Sequence, residues 1–216
     1  MPRKGSAIGT VIVVGLVAAG AATLVSLSYE FSRERIAANE RARLVAALNR
    51  VLEPALRDRD LRSVRLEVTD RALLGSADPV DVFVMSADGT PVAVVFASVA
   101  PQGYNAPIQL LVGVSPDGVV TGVRAVSHRE TPGLGDRIEI ARSRWIESFD
   151  GRSLQMPPRA LWAVAKDDGA FDALTGATVT SRAVVNAVRD TLLYFEQHRD
   201  ELFARAEAER VDDNAN

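Results

Sequence analysis

Asp172-Ala173-Leu174-Thr175-Gly176-Ala177-Thr178 places a hydroxyl just after a turn residue, where an amphipathic run from Thr180 to about Arg205 opens a helix. A helix start offers unpaired backbone N–H groups and the positive end of the macrodipole, and Gly176 and Ala177 let a bulky ligand approach the backbone. Those properties suit a phosphate. Thr, Gly and Ala carry no redox or acid–base function, and the stretch also reads as an ordinary helix start capped by Thr180 or Ser181. A second constellation is Glu130-Thr131-Pro132-Gly133-Leu134-Gly135. Pro132 fixes one dihedral and restricts Thr131, while Gly133 and Gly135 permit close approach, so this loop is shaped even if it only joins a strand to a helix. It is not a dinucleotide fingerprint, because the third glycine and the strand–helix–strand unit are missing.

The elements that must position these residues read as strands first and helices later. A short strand at Val64 to Val68 lies in a polar link that runs from Arg57 to Asp78. Val80, Val82 and Val84 alternate with their neighbours, Asp88-Gly89 marks a turn, and Pro91 to Ala100 is a β-branched run. A second pair, Ile108 to Val114 and Val119 to Ser127, is joined at Pro116-Asp117-Gly118. Two hairpins predict an antiparallel sheet. Asp136 to Phe149 has helical spacing, Leu161 to Lys166 reads as a strand, and the closing helix follows, so the fold class is α+β with an antiparallel sheet and flanking helices.

Composition bounds the remainder. The 216 residues, 47% of them hydrophobic, suffice for one core and an anchor. A formal charge of −3 gives no basic surplus, which argues against nucleic acid as a partner. There are no cysteines, so Cys-ligated zinc, Cys-ligated iron–sulfur centres and disulfides are excluded. No zinc helix, Walker loop or nucleophile elbow is present, and no metal site is expected. Of the two histidines, His128 lies near the Glu130 loop, where it either tunes a ligand or makes a structural hydrogen bond, and His198 reads as solvated.

The chain divides into a tail (1–6), an apolar anchor (7–28), a charged helical connector and polar link (29–78), the α+β domain (79–206) and an acidic, disordered-looking end (207–216). The uncharged run from Ala7 to Leu27 would span roughly 30 Å as a helix, the thickness of a bilayer core. It exceeds the apolar region of about 7–15 residues typical of a cleaved signal peptide. Arg3 and Lys4 precede the span while Arg33, Arg35, Arg41 and Arg43 follow it, so charge counting alone slightly favours an N-terminus outside. The connector carries an apolar stripe of Ile36, Leu44, Leu48, Val51 and Leu52 and reads as a solvated helix ending near Pro54.

Asp-x-x-Thr-Gly-Ala-Thr and Glu-Thr-Pro-Gly-Leu-Gly, together and in this order, resemble the two signatures of a family of FMN-binding domains. That family is found in the G subunit of the Rnf ion-translocating oxidoreductase and the C subunit of the Na+-translocating NADH:quinone oxidoreductase. The last threonine of the first signature is joined to FMN through a phosphoester there, which the resemblance places on Thr178, with Asp172, Thr175, Gly176 and Ala177 completing the motif. The resemblance also implies flavin contacts from Glu130, Thr131, Gly133, Leu134 and Gly135. Gly103-Tyr104 matches the family's Gly-aromatic element, which would set Tyr104 beside the isoalloxazine ring, and Lys166 matches a basic position that would meet a flavin oxygen or the phosphate. Without the resemblance, Tyr104 is a partly buried aromatic at a strand start and Lys166 an exposed lysine in a Lys-Asp-Asp-Gly turn.

The likeness runs from the anchor through the closing helix, and the chain's length looks more like the Rnf G subunit than the quinone reductase's C subunit. It implies an extracytoplasmic, periplasmic domain on a single-pass anchor in the cell inner membrane, loaded with FMN by a flavin transferase. It also implies an electron carrier in series with other membrane subunits of an Rnf-type complex that moves Na+ or H+. The redox chemistry would belong to the flavin, with no catalytic side chain of its own. One uncharged span leaves ion conduction to the partners. An anchored scaffold without flavin and an enzyme with reversibly bound FMN are the other classes these residues permit.

Overall fold

A computed structural model describes residues 61–215, with side chains to Val211, together with Gly15, Leu48, Val51, Leu52 and Leu56. The expected anchor and most of the connector lie outside the described residues. Among the described residues no helix is long and apolar enough to cross a membrane. The chain divides into two units, 1–46 and 47–216, and the sheet and closing helix belong to the second.

Five strands form one antiparallel meander in the order β1-β2-β3-β4-β5: β1 Arg62–Val68, β2 Val80–Ala87, β3 Thr90–Ala100, β4 Ile108–Val114 and β5 Val120–Ser127. The turn chemistry sets this order. Asp88 and Gly89 at the β2–β3 turn have φ of 50° and 82°, and Gly118 between β4 and β5 has φ of 80°, conformations that aspartate and glycine adopt at low cost. The sheet begins at Arg62, ahead of the boundary at 79 set by composition, because β1 pairs along its full length with β2.

Both faces of the sheet are covered. Strand alternation sends Val82, Val84, Val94, Phe96, Leu110 and Val112 to the face that packs on the long helix α1, Thr178–Ala215. There Phe96 meets Tyr194 and Phe195 edge-on at centroid distances of 6.0 and 6.2 Å, and Ser98 shares a buried 2.7 Å hydrogen bond with Thr191. Phe83, Met85, Ala93, Val95 and Leu111 face the other way, where Leu48, Val51 and Leu52 bury against them. The end of the connector is therefore core rather than a solvated link. Gly113 and Gly122, opposite each other on β4 and β5, make room for it: a Cβ at Gly113 would lie 2.4 Å from the Val51 carbonyl oxygen. Thr121 Oγ1 donates to that same oxygen at 2.6 Å.

Other expectations change as well. Asp136 to Phe149 is not one helix but two 3-10 turns, Gly135–Ile138 and Trp145–Phe149. Ser143 competes for the backbone between them, since its hydroxyl donates to the Arg137 carbonyl at 2.7 Å and accepts from the Trp145 N–H at 3.2 Å. Ile138, Ile146 and Phe149 reach the core all the same. Leu161 to Lys166 is not a strand, although Trp162 and Val164 alternate inward. Among the described residues the segment has no strand beside it, only a bridge between Val164 and Phe171, and it folds into turns at Arg159–Leu161 and Ala165–Asp167. The closing helix starts two residues earlier than Thr180 and takes in the acidic end read as disordered, to Ala215. His198 stacks on Tyr194 with ring centroids 4.4 Å apart, so it is not simply solvated. Between residues 61 and 215 α1 is the one α-helix, and turns take the place of the other flanking helices.

Candidate functional site

The N-terminus of α1 meets two irregular segments in an open pocket of about 460 Å³. Its lining is Tyr104, Thr131, Leu134, Gly135, Lys166, Gly176, Ala177, Thr178, Val179 and Thr180.

The helix start is built by its own side chains. Gly176, at φ 81°, turns the chain into α1, and a Cβ there would lie 3.0 Å from a Leu134 methyl. The Ser181 N–H bonds to the Ala177 carbonyl at 3.0 Å as the helix ladder begins. The N–H groups of Thr178, Val179 and Thr180 precede that bond and form the anion-receptive end. Neither expected cap acts as one. Ser181 Oγ is buried, donating to the Ala177 carbonyl at 3.0 Å and accepting from the Leu174 N–H at 2.9 Å, while Thr180 Oγ1 donates to Glu130 Oε2. Thr178, half-buried and pocket-lining, keeps its hydroxyl at the opening.

Glu130 ties the walls together from behind. It is 4% exposed, and its two oxygens accept from the Asn105 N–H at 3.2 Å and from Thr180. Asn105 in turn donates from its side chain to the Arg129 carbonyl at 2.8 Å. One carboxylate thus joins the loop bearing Tyr104, the turn bearing Leu134 and the first turn of α1. The next turn closes on the Thr131 carbonyl, which accepts N–H groups from Leu134, Gly135 and Asp136 at 3.2, 3.0 and 3.3 Å. His128 stands further back: its Nδ1 accepts the Glu130 N–H at 3.2 Å, which leaves Nε2 to face Glu139 at 3.0 Å. It does not line the pocket.

Lys166 enters from the opposite side, its Nζ 3.1 Å from Thr178 Oγ1. The loop that carries it is closed by the Ala165 N–H bonding to the Phe171 carbonyl at 2.7 Å. Asp168 sits at φ 59°, and at Gly169 a Cβ would fall 1.9 Å from the Ala163 carbonyl oxygen. Beneath the loop Phe171 stacks with Phe149 at 5.0 Å and lies 4.8 Å from Trp162. Asp167 receives a two-pronged bond from Arg182, Nε to Oδ2 at 2.5 Å and Nη2 to Oδ1 at 2.8 Å. That hydrogen bonding, and the guanidinium charge with it, holds the Asp167 carboxyl below its ordinary range and raises Arg182.

Eight of the residues singled out by sequence therefore meet at one opening: Tyr104, Thr131, Leu134, Gly135, Lys166, Gly176, Ala177 and Thr178. Glu130 is a support behind the wall. Gly133, at φ 78° with open space around it, serves its turn, and Thr175 is exposed outside the lining. Asp172 contributes its carbonyl, which accepts the Trp145 indole N–H at 2.6 Å. Val179 and Asn105 escaped sequence reasoning; the Val179 side chain, 44% exposed, follows from helix register once the start at Thr178 is known.

The opening combines a cation, a helix N-terminus and apolar surface from Tyr104, Leu134 and Val179, which are 66%, 43% and 44% exposed. Its size falls in the ~300–1,000 Å³ range of small-molecule sites. A flat, largely apolar ring system joined to a phosphate fits this donor set.

Comparison with known proteins agrees with that chemistry. The FMN-binding domain family matches residues 103–193, a span that contains every residue lining the pocket. The G subunit of the ion-translocating oxidoreductase complex of Pseudomonas aeruginosa (strain UCBPP-PA14) is 44% identical over 205 residues, covering 95% of this chain and 96% of that relative. The protein of the same name from Shewanella loihica is 39% identical over 202 residues, 94% of this chain and 95% of the relative. That of Aliivibrio fischeri (strain MJ11) is 38% identical over 191 residues, 88% and 91% of the two chains.

Proposed function

We propose, since the chain belongs to the G-subunit family of ion-translocating oxidoreductase complexes and contains an FMN-binding domain, that it is an electron-transfer subunit carrying FMN on Thr178. The link is a phosphoester between Thr178 Oγ1 and the FMN phosphate. What supports Thr178 is the fate of its neighbours: Thr180 and Ser181 are buried with their hydroxyls already donated, Thr175 lies outside the pocket, and Thr178 faces Lys166.

When bound, FMN supplies the electron-transfer chemistry. The chain's own residues hold and orient. Lys166 and the first N–H groups of α1 bind phosphate oxygens, while Tyr104, Leu134 and Val179 offer apolar surface to the ring. Glu130 keeps those walls in register. Residues 7–28 anchor the domain in the inner membrane with its globular part on the periplasmic side. A covalent link prevents loss of the cofactor in a compartment that does not make it. Electrons pass to and from other membrane subunits of the complex, and those subunits conduct the coupled Na+ or H+.

The test is the intact mass of the denatured protein from its native host, with ultraviolet fluorescence of the same band on a denaturing gel. The expected result is an increment of one FMN less water, mapped to Thr178 and absent in Thr178→Ala. An unmodified mass from cells with an active flavin transferase overturns the covalent reading. Free FMN in the same preparation would then mark a reversible flavoprotein.

A further inference from the structure

Lys166 stands on an exposed turn, and its side chain has enough freedom to leave Thr178 unless the backbone beneath it is fixed. Its sequence neighbour Asp167 is bridged by both oxygens to Arg182, and Arg182 lies four residues, one helical turn, beyond Thr178 on the same face of α1. The result is a closed ring: Lys166 to Thr178 by hydrogen bond, Thr178 to Arg182 along the helix, Arg182 to Asp167 by two parallel bonds, and Asp167 back to Lys166 through the chain. A forked guanidinium–carboxylate pair fixes orientation as well as distance, which a single-point contact does not.

We infer that Asp167 and Arg182 are positioning residues that hold the Lys166 ammonium at Thr178 Oγ1 for attachment of the phosphate. The inference rests on the reading of Thr178 as the FMN attachment point. Ester formation requires a flavin donor whose FMN phosphate is in a phosphoanhydride. The Thr178 Oγ–phosphorus bond forms, the anhydride bond breaks, the hydroxyl proton passes to water, and the leaving phosphate group takes the bonding electron pair. The oxygen that Lys166 touches becomes the bridging ester oxygen, so the cation stands beside the non-bridging oxygens as phosphorus arrives. Asp167 and Arg182 touch neither the donor nor the hydroxyl, and their effect passes through Lys166.

The experiment measures the initial rate of flavin loading onto the unloaded full-length chain by the transferase and its flavin dinucleotide donor, read by intact mass. Asp167→Asn and Arg182→Gln are each expected to slow loading about 10-fold, in line with the cost of misplacing a group near the reacting atoms. Their final extent of loading and melting temperature should match the parent, since both side chains are more than a third exposed. Lys166→Gln should slow loading at least as much. The decisive comparison is the double variant: Asp167→Asn in the Lys166→Gln background should cause no further loss. An undiminished Asp167→Asn effect in that background overturns the inference, as do parent-like rates for both single variants. A parent chain that never gains mass refutes the Thr178 reading instead, which separates the two failures.

Discussion

Thr180→Val is the sharpest probe of how the site is held. Thr180 is 1% exposed and its hydroxyl donates to Glu130, itself 4% exposed. Valine has nearly the same shape, so the substitution leaves no cavity and removes one hydrogen bond to a carboxylate. The Asn105 N–H remains on the other oxygen. A hydrogen bond to a charged group contributes about 1.5–3 kcal/mol, and the loss also leaves a buried carboxylate oxygen short of a donor. The expected destabilisation is therefore about 2 kcal/mol, or roughly 4–8 °C in melting temperature for a protein of this size.

The assay is urea and thermal unfolding of the unloaded full-length chain in a double-mutant cycle with Glu130→Gln. If the two side chains act on each other, the cycle returns a coupling of about 1 kcal/mol or more, because a glutamine amide cannot serve both donors as the carboxylate does. A Thr180→Val loss below about 0.5 kcal/mol with no coupling would refute the reasoning, since surface-like changes have that size. Glu130 would then not join the segments around the pocket.

Two other outcomes follow from the packing. Gly113→Ala forces a Cβ against the Val51 carbonyl and Thr121 Oγ1, each 2.4 Å away. It should cost about 1–3 kcal/mol by overpacking and raise amide exchange at Val51, as measured by urea unfolding and hydrogen exchange. Burial, aided by the negative charges of Glu201 and Asp70, raises the Tyr194 phenol above the ordinary tyrosine value. A raised folded-state value favours the protonated form on folding, so its contribution is complete below about pH 10, where an unfolded tyrosine ionises, and is lost as pH rises through the folded-state value. Ultraviolet titration should place Tyr194 last to ionise, and Tyr194→Phe should flatten the fall in stability above that pH.

What the sequence revealed follows the range of the forces involved. Both hairpins were legible because alternation and the Asp-Gly turns are local, and the structure places Asp88, Gly89 and Gly118 in the backbone conformations those turns require. The start of α1 was legible to within two residues for the same reason. Helical spacing at Ile138, Ala141 and Trp145 misled because the local competitor, the Ser143 hydroxyl, sits between them, and burial of Ile138 and Phe149 is satisfied by separate turns. Trp162 and Val164 alternate like a strand, yet a strand needs a partner that spacing cannot supply. The buried connector end left one signal: Gly113 and Gly122 are paired across a hairpin, where adjacent glycines invite another backbone. Three-dimensional closure alone could give Glu130 its role, since its partners Asn105 and Thr180 lie 25 and 50 residues away.

That closure changes how the Glu-Thr-Pro-Gly-Leu-Gly stretch works. A glycine-rich loop beside a pocket is readily read as space cleared for a ligand. Here a Cβ on Gly135 would meet Glu130 Cβ at 2.9 Å and Thr180 Oγ1 at 3.0 Å, and one on Gly103 would meet the Ala106 carbonyl oxygen at 2.0 Å and Glu130 Oε1 at 3.1 Å. Both glycines make room for protein, and both border the carboxylate. Gly133 has open space and is needed for its φ of 78°. The side chain from this stretch most open at the pocket is Leu134, beside Thr131. The other four residues can therefore be understood as machinery that holds one leucine, one threonine and the first turn of α1 at fixed separation. Flavin affinity should accordingly be less sensitive to Leu134→Met, which keeps an apolar surface, than to Gly135→Ala, whose added methyl is directed at Glu130 and Thr180 and pries them apart.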